Sequence, residues 1–149
     1  MSTIVPLAFE VKLAAAPKLR FLSLAGAEEL SRPFDYRLVG LLKANEPLAF
    51  DDVLGTPAQV TVGVGNPDAR VYHGVVAAVA FDGTVGGYLS YRFTLRPWLW
   101  LLTRSAQLRI FQKKSVPDIL KAVFNQHGGT FQDLTQATYR MREYCVKYR

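Results

Sequence analysis

The residue types that carry chemistry in this chain are His73, His127, the pair Asp51-Asp52, the segment Gly63-Val64-Gly65, and Cys145. A metal site needs imidazoles, thiolates or carboxylates at spacings that converge on one ion, and neither histidine has such a neighbour at i+3 or i+4. His73 falls in a strand-like run, where an outward-facing or hydrogen-bonded role is expected. His127 falls where a helix should end, a position that favours positive charge. Asp51 and Asp52 are adjacent, so on a helical turn their carboxylates point apart and cannot share a proton as an acid/base pair. Gly63-Val64-Gly65 lacks the third glycine of a dinucleotide loop and runs into Asn66-Pro67-Asp68, which is turn chemistry. The lone Cys145 lies between Tyr144 and Val146 and reads as an inert thiol in a strand. No catalytic, cofactor-binding or metal-ligating set emerges, and no enzymatic activity is expected of these residues.

The other candidate is aromatic. Both tryptophans fall in Pro97-Trp98-Leu99-Trp100-Leu101-Leu102. Indoles beside arginines can stack on bases or sugars, but indoles set among leucines are ordinarily core. The elements on either side favour a structural role. Before Pro97, strand-like alternation recurs: Leu7 to Leu13, Leu19 to Leu24, Phe34 to Leu42, Gln59 to Val64, Arg70 to Phe81 and Tyr91 to Arg96. Phe50 to Leu54 reads as a helical turn stopped by Gly55. Gly74 predicts a bulge or bend in the fifth run, and Asp82 to Gly87 a hairpin connection. Strands joined by glycine-rich turns predict a mainly β fold, a small antiparallel β-barrel.

At Pro97 the period changes. Trp98, Leu101 and Leu102 share a face if the segment coils, which predicts a short helix plugging the barrel mouth. Arg109 to Gln112 reads as extended. Val116, Ile119, Leu120, Val123 and Phe124 then recur at i, i+3, i+4, i+7 and i+8, predicting an amphipathic helix packed on the sheet. Ser115 and Asp118 form its capping box, Pro117 suits its first turn, and Gly128-Gly129 should end it. Burial of the five apolar side chains would contribute about 1.5–3 kcal/mol each before entropy is subtracted. The expected core and assembly residues are therefore Trp98, Trp100, Leu101, Phe111, Ile119 and Phe124, and a buried tryptophan here would cost about 3–5 kcal/mol on truncation to alanine. A loop follows from Phe131, and Tyr144 to Tyr148 reads as a final strand.

The chain has 149 residues, half of them hydrophobic, enough for one domain with a sizeable core. No apolar run approaches the ~20 residues that span a membrane, and the first residues lack the basic and apolar regions of a secretory signal. The net charge is +6. Its cations are spread along the chain, with concentrations from Arg104 to Lys121 and from Arg140 to Arg149. A solvated face of an assembly subunit accounts for this better than nucleic-acid binding, which stands as the alternative. A weaker third reading, an enzyme acting through Asp51, Asp52 or His73, needs those groups to converge in one pocket.

Several motifs in one order make the chain recognisable: Leu30-Ser31-Arg32-Pro33-Phe34, His73-Gly74-Val75-Val76, Tyr91-Arg92-Phe93-Thr94-Leu95, Arg96 to Arg104, Arg109-Ile110-Phe111-Gln112, Lys114 to Ile119, and Arg142 to Val146. Together they resemble the signature of the VgrG family, the spike proteins of the type VI secretion system. The resemblance implies a fold like the hub of contractile phage baseplates, whose barrels from three copies form a ring that continues the tail tube. It implies a structural role as the N-terminal hub portion of a longer protein. The implied partners are sister copies in a homotrimer, the inner tube protein, other baseplate subunits, and effector or adaptor proteins, with no membrane and no cofactor. It further implies assembly in the cytoplasm and export through the apparatus. A hub of a phage tail or another contractile injection machine fits the same motifs.

Overall fold

The computed structural model describes residues 8–127 and 131–147. The chain divides into two compact units, Met1–Pro97 and Trp98–Arg149.

The first unit is a single antiparallel sheet of six strands: β1 (Phe9–Leu13), β2 (Arg20–Ala27), β3 (Asp35–Lys43), β4 (Pro57–Val62), β5 (Arg70–Val85) and β6 (Tyr88–Arg96). Their order across the sheet is β1-β4-β5-β6-β3-β2. The alternation that predicted the strands also selects the inner face. Leu38 pairs with Phe93 and Tyr36 with Leu95 across the β3–β6 ladder, and all four are buried, together with Val60 and Val76.

β5 makes the curl possible. Its first residues pair with β4 and the remainder with β6, and its register slips between Val76 and Ala78 and again between Phe81 and Gly83. Each slip bends the strand and increases its twist, so the sheet rolls into a half-barrel. Gly74, expected to mark a bulge or a bend, carries no register slip. It stays in register opposite Ala58, and its value lies in close approach: a Cβ there would sit 2.8 Å from the Arg96 carbonyl oxygen and 3.2 Å from the Phe34 ring. The hairpin is also tighter than expected. β5 continues through Val85, and the turn is Gly86-Gly87 alone, with φ of +55° and +82°, as the right-handed twist of two-residue hairpins demands.

The half-barrel closes loosely between its two edges. β1 and β2 share no backbone ladder among the described residues, but the rings of Phe9 and Phe21 stack across the seam at 4.2 Å. The Phe50–Gly55 turn forms as expected, with the Val53 and Leu54 amides donating to the Phe50 carbonyl and Gly55 at positive φ.

The second unit opens with a 3-10 turn, Trp98–Arg104. β7 (Arg109–Lys114) follows, then α1 (Val116–Gln126), and β8 (Arg142–Lys147) returns to pair with β7 as a two-stranded ribbon. The capping box forms as expected: the Ser115 hydroxyl accepts from the Asp118 amide at 3.3 Å, and the Asp118 carboxylate accepts from the Ser115 amide at 3.3 Å. His127 caps the other end, its amide donating to the Phe124 carbonyl at 3.0 Å. Gly128, Gly129 and Tyr148 lie outside the described residues, as does Leu7.

Two expectations about packing are corrected here. Of the five apolar residues of the α1 stripe only Val123 is buried, while Val116 and Leu120 are 37% and 45% exposed. No residue of the 3-10 turn is fully buried either. A stripe at helical spacing shows that a helix has an apolar face; it does not show that the same chain supplies enough surface to cover it.

Candidate assembly surfaces

The residues with catalytic potential do not converge. His73 is exposed on β5 opposite Gln59. Asp51 and Asp52 are exposed in the turn before Gly55. Cys145 is half-buried on β8, cross-strand from Phe111. Among the described residues no three His, Cys, Asp or Glu side chains stand close enough to hold a metal ion.

The first unit has instead a cluster that joins three distant segments. Glu28 follows β2, Tyr36 opens β3 and Arg70 opens β5. The Tyr36 hydroxyl donates to the Glu28 carboxylate, and Arg70 donates to both oxygens of the same carboxylate at 3.0 and 3.2 Å. The Arg70 guanidinium lies over the Tyr72 ring at 4.7 Å, and Tyr72 meets Tyr36 edge-to-face at 5.4 Å. Phe34 stacks on Tyr36 at 4.4 Å. Burial of Tyr36, with the Glu28 carboxylate accepting its hydrogen bond, pushes the phenol pKa up to about 12. The same Tyr36 hydrogen bond and the Arg70 charge hold the Glu28 carboxyl below its ordinary range. Glu28, Tyr36, Arg70 and Tyr72 line an open cleft of about 510 Å³ with Leu24, Ala25 and Gly26. Glu28 and Arg70, the charged residues lining the cleft, are paired with each other, so the arrangement fastens the β2–β3 loop to β5.

In the second unit the expected residues meet only in part. Trp98 packs edge-to-face on Phe124 at 5.4 Å, and Phe124 meets Phe131 at 5.1 Å. Phe111 is buried. Trp100, Leu101 and Ile119 are half-buried, and the Arg104 guanidinium lies over the Trp100 ring at 5.5 Å. The exposed edge of the α1 stripe forms an apolar groove of about 260 Å³, with Val116, Leu120 and Phe124 on one wall and Phe131, Leu134 and Tyr139 on the other. The Lys121–Asp133 ion pair, 2.9 Å, ties the loop to the helix at its rim. The sequence reading missed both this groove and the Glu28–Tyr36–Arg70 cluster. Spacing signalled the helical wall of the groove; the loop wall has no period to signal it.

No helix among the described residues is long and apolar enough to cross a membrane.

The chain matches the family described as "Phage tail baseplate hub (GPD)" over residues 27–149. It is 45% identical over 135 residues to the type VI secretion system spike protein VgrG1b of Pseudomonas aeruginosa, which covers 90% of this chain and 18% of that relative. It is 43% identical over 132 residues to VgrG1c of the same organism, covering 88% of this chain and again 18% of the relative. The chain therefore spans less than a fifth of the length of these relatives. Among solved structures it is similar, with a TM-score of 0.77 and 26% identity over 93% of this chain and 39% of the other, to the E. coli c3393 protein. That protein is described as a component of the type VI secretion system with structural similarity to the T4 bacteriophage tail proteins gp27 and gp5. The resemblance expected from the ordered motifs and the mainly β, hub-like fold are both found.

Proposed function

The chain belongs to the phage tail baseplate hub family, and on that premise we propose that it is a structural part of a type VI secretion spike. In this reading three copies form the base of the spike, which caps the inner tube, meets other baseplate subunits and carries effector or adaptor proteins into target cells. The protein assembles in the cytoplasm and leaves through the apparatus itself.

The observation that carries the reading is the match across residues 27–149, joined to identity above 40% with two spike proteins. The sites agree with it. The charged cluster of the half-barrel is internally satisfied, and the remaining open features are apolar or cationic surfaces, which suit contacts with other proteins better than turnover of a small molecule. We assign Trp98, Trp100, Leu101, Phe111, Ile119 and Phe124 to the packing and assembly of the second unit. Sedimentation of the natural full-length protein tests the reading: a trimer is expected, and a strict monomer at micromolar concentration overturns it.

A further inference from the structure

The net positive charge of this chain is confined to one of its two units. Residues 1–97 contain nine Lys and Arg and nine Asp and Glu, so that unit is neutral. Residues 98–149 contain nine Lys and Arg against only Asp118, Asp133 and Glu143, so the whole net charge of +6 resides there. The two units also use their charges differently. In the first, ion pairs such as Arg70–Glu28, Arg96–Asp35, Arg92–Asp82 and Lys18–Glu46 hold segments together. In the second, among the described residues, the ion pair is Lys121–Asp133.

The cations of the second unit collect on the β7–β8 ribbon in an arrangement that is unfavourable by itself. Of the five cross-strand pairs, two set cation against cation, Arg109 opposite Lys147 and Lys114 opposite Arg142. Like charges directly opposite each other destabilise a sheet. Between these ends the ribbon has two unlike faces. Phe111 and Cys145 share the face that holds the buried Phe111 ring. Ile110, Gln112, Tyr144 and Val146 share the other, where Ile110 is 57% and Tyr144 58% exposed. Both outer edges of the ribbon lack a strand partner among the described residues, and a two-stranded ribbon is marginal in water.

We infer that the open face of the β7–β8 ribbon docks an acidic segment of a partner protein, with apolar side chains seated on Ile110, Tyr144 and Val146 and carboxylates meeting Lys114 and Arg142. Carboxylates there add to the one that Asp118 already offers Lys114, and apolar contact covers the Ile110–Val146 end of the face. A nucleic acid would satisfy only the first requirement, because the face pairs Ile110 with Val146 and Gln112 with Tyr144 and so carries a single ring, not a row of cations and stacking rings. The inference goes beyond the proposed spike role, and it stands or falls separately from trimer formation.

Binding of short fluorescent peptides to the whole chain, followed by anisotropy, tests it. The probes are a peptide alternating valine and glutamate, one alternating serine and glutamate, and one alternating valine and lysine; single-stranded oligothymidylate and phosphatidylserine vesicles complete the set. The valine–glutamate peptide should bind at least roughly tenfold tighter than every other probe. Added salt should weaken that binding. Lys114→Glu with Arg142→Glu, and separately Ile110→Ser, should each weaken it by roughly tenfold or more, while Lys43→Glu on β3 should leave it unchanged. Lys114→Gln with Arg142→Gln should give a smaller loss and keeps the test open if the charge reversals fail to fold, which far-UV circular dichroism reports. Equal binding of the serine peptide, tighter binding of the oligonucleotide or the vesicles, or no response to the ribbon substitutions overturns the inference.

Discussion

Glu28 and Arg70 stand 42 positions apart in the chain and form an ion pair at 3.0 Å, with the Tyr36 hydroxyl donating to the same carboxylate. The cluster joins the loop after the edge strand β2 to the start of β3 and to the start of β5, with β6 between those last two strands. It is thus a fastening of the half-barrel, and its protonation state has consequences for stability.

The pH dependence follows from the two shifts. Glu28 has its folded pKa lowered, by the Tyr36 hydrogen bond first. Its contribution is therefore present above the ordinary carboxyl value of 4.5 and fades as pH falls below that value. Tyr36 has its folded pKa raised to about 12 from 10.0, so its contribution is present below the lower value and lost as pH rises through the higher one. Glu28→Gln should lower the thermal midpoint at neutral pH, and the gap to the parent should close in acid. A gap as wide in acid as at neutrality would show that the carboxylate charge is not what the substitution removed. Phenolate absorbance, taken as the difference between the parent and Tyr36→Phe, should place the Tyr36 titration above the ordinary phenol value of 10.0.

Gly74→Ala should destabilise the first unit by about 1–3 kcal/mol, because the added methyl meets a backbone carbonyl that cannot rotate away. Denaturant unfolding followed by far-UV circular dichroism measures this. A neutral outcome would mean that β5 and β6 shift apart without cost at that point.

Truncations in the two units should differ in size. Phe93 is fully buried, and Phe93→Ala should cost about 3–5 kcal/mol. Trp98 is half-buried with one aromatic partner, and Trp98→Ala should cost only about 1–2 kcal/mol. Both tryptophans belong to the second unit, so the remaining Trp100 fluorescence follows that unit while circular dichroism follows the strands. Equal costs would restore the sequence-based expectation of a buried plug.

Much of the fold is legible in the sequence because it is recorded in local periods. Tyr91, Phe93 and Leu95 alternate, and all three are buried. Ser115 and Asp118 stand three apart before an apolar stripe, and they form the cap of α1. The type of each glycine-rich turn is less legible: Asp82 to Gly87 looks like one loop, but the ladder to β6 holds through Val85, because pairing across a hairpin outweighs the turn propensity of Asp82 and Gly83. The helix stripe shows the opposite failure, since five apolar positions predict a face and say nothing about what covers it.

By itself the sequence determined the strands, the capped helix and the family, all of which rest on residues near one another in the chain or on motifs in fixed order. Only the tertiary structure decided which charges meet. Glu28 reaches Tyr36 because β2 and β3 pair antiparallel with Gly26 opposite Tyr36, it reaches Arg70 across 42 positions of chain, and Lys114 faces Arg142 because β8 returns antiparallel to β7. Coulomb energy and burial depend on distance in space, and no local pattern in the chain encodes that distance.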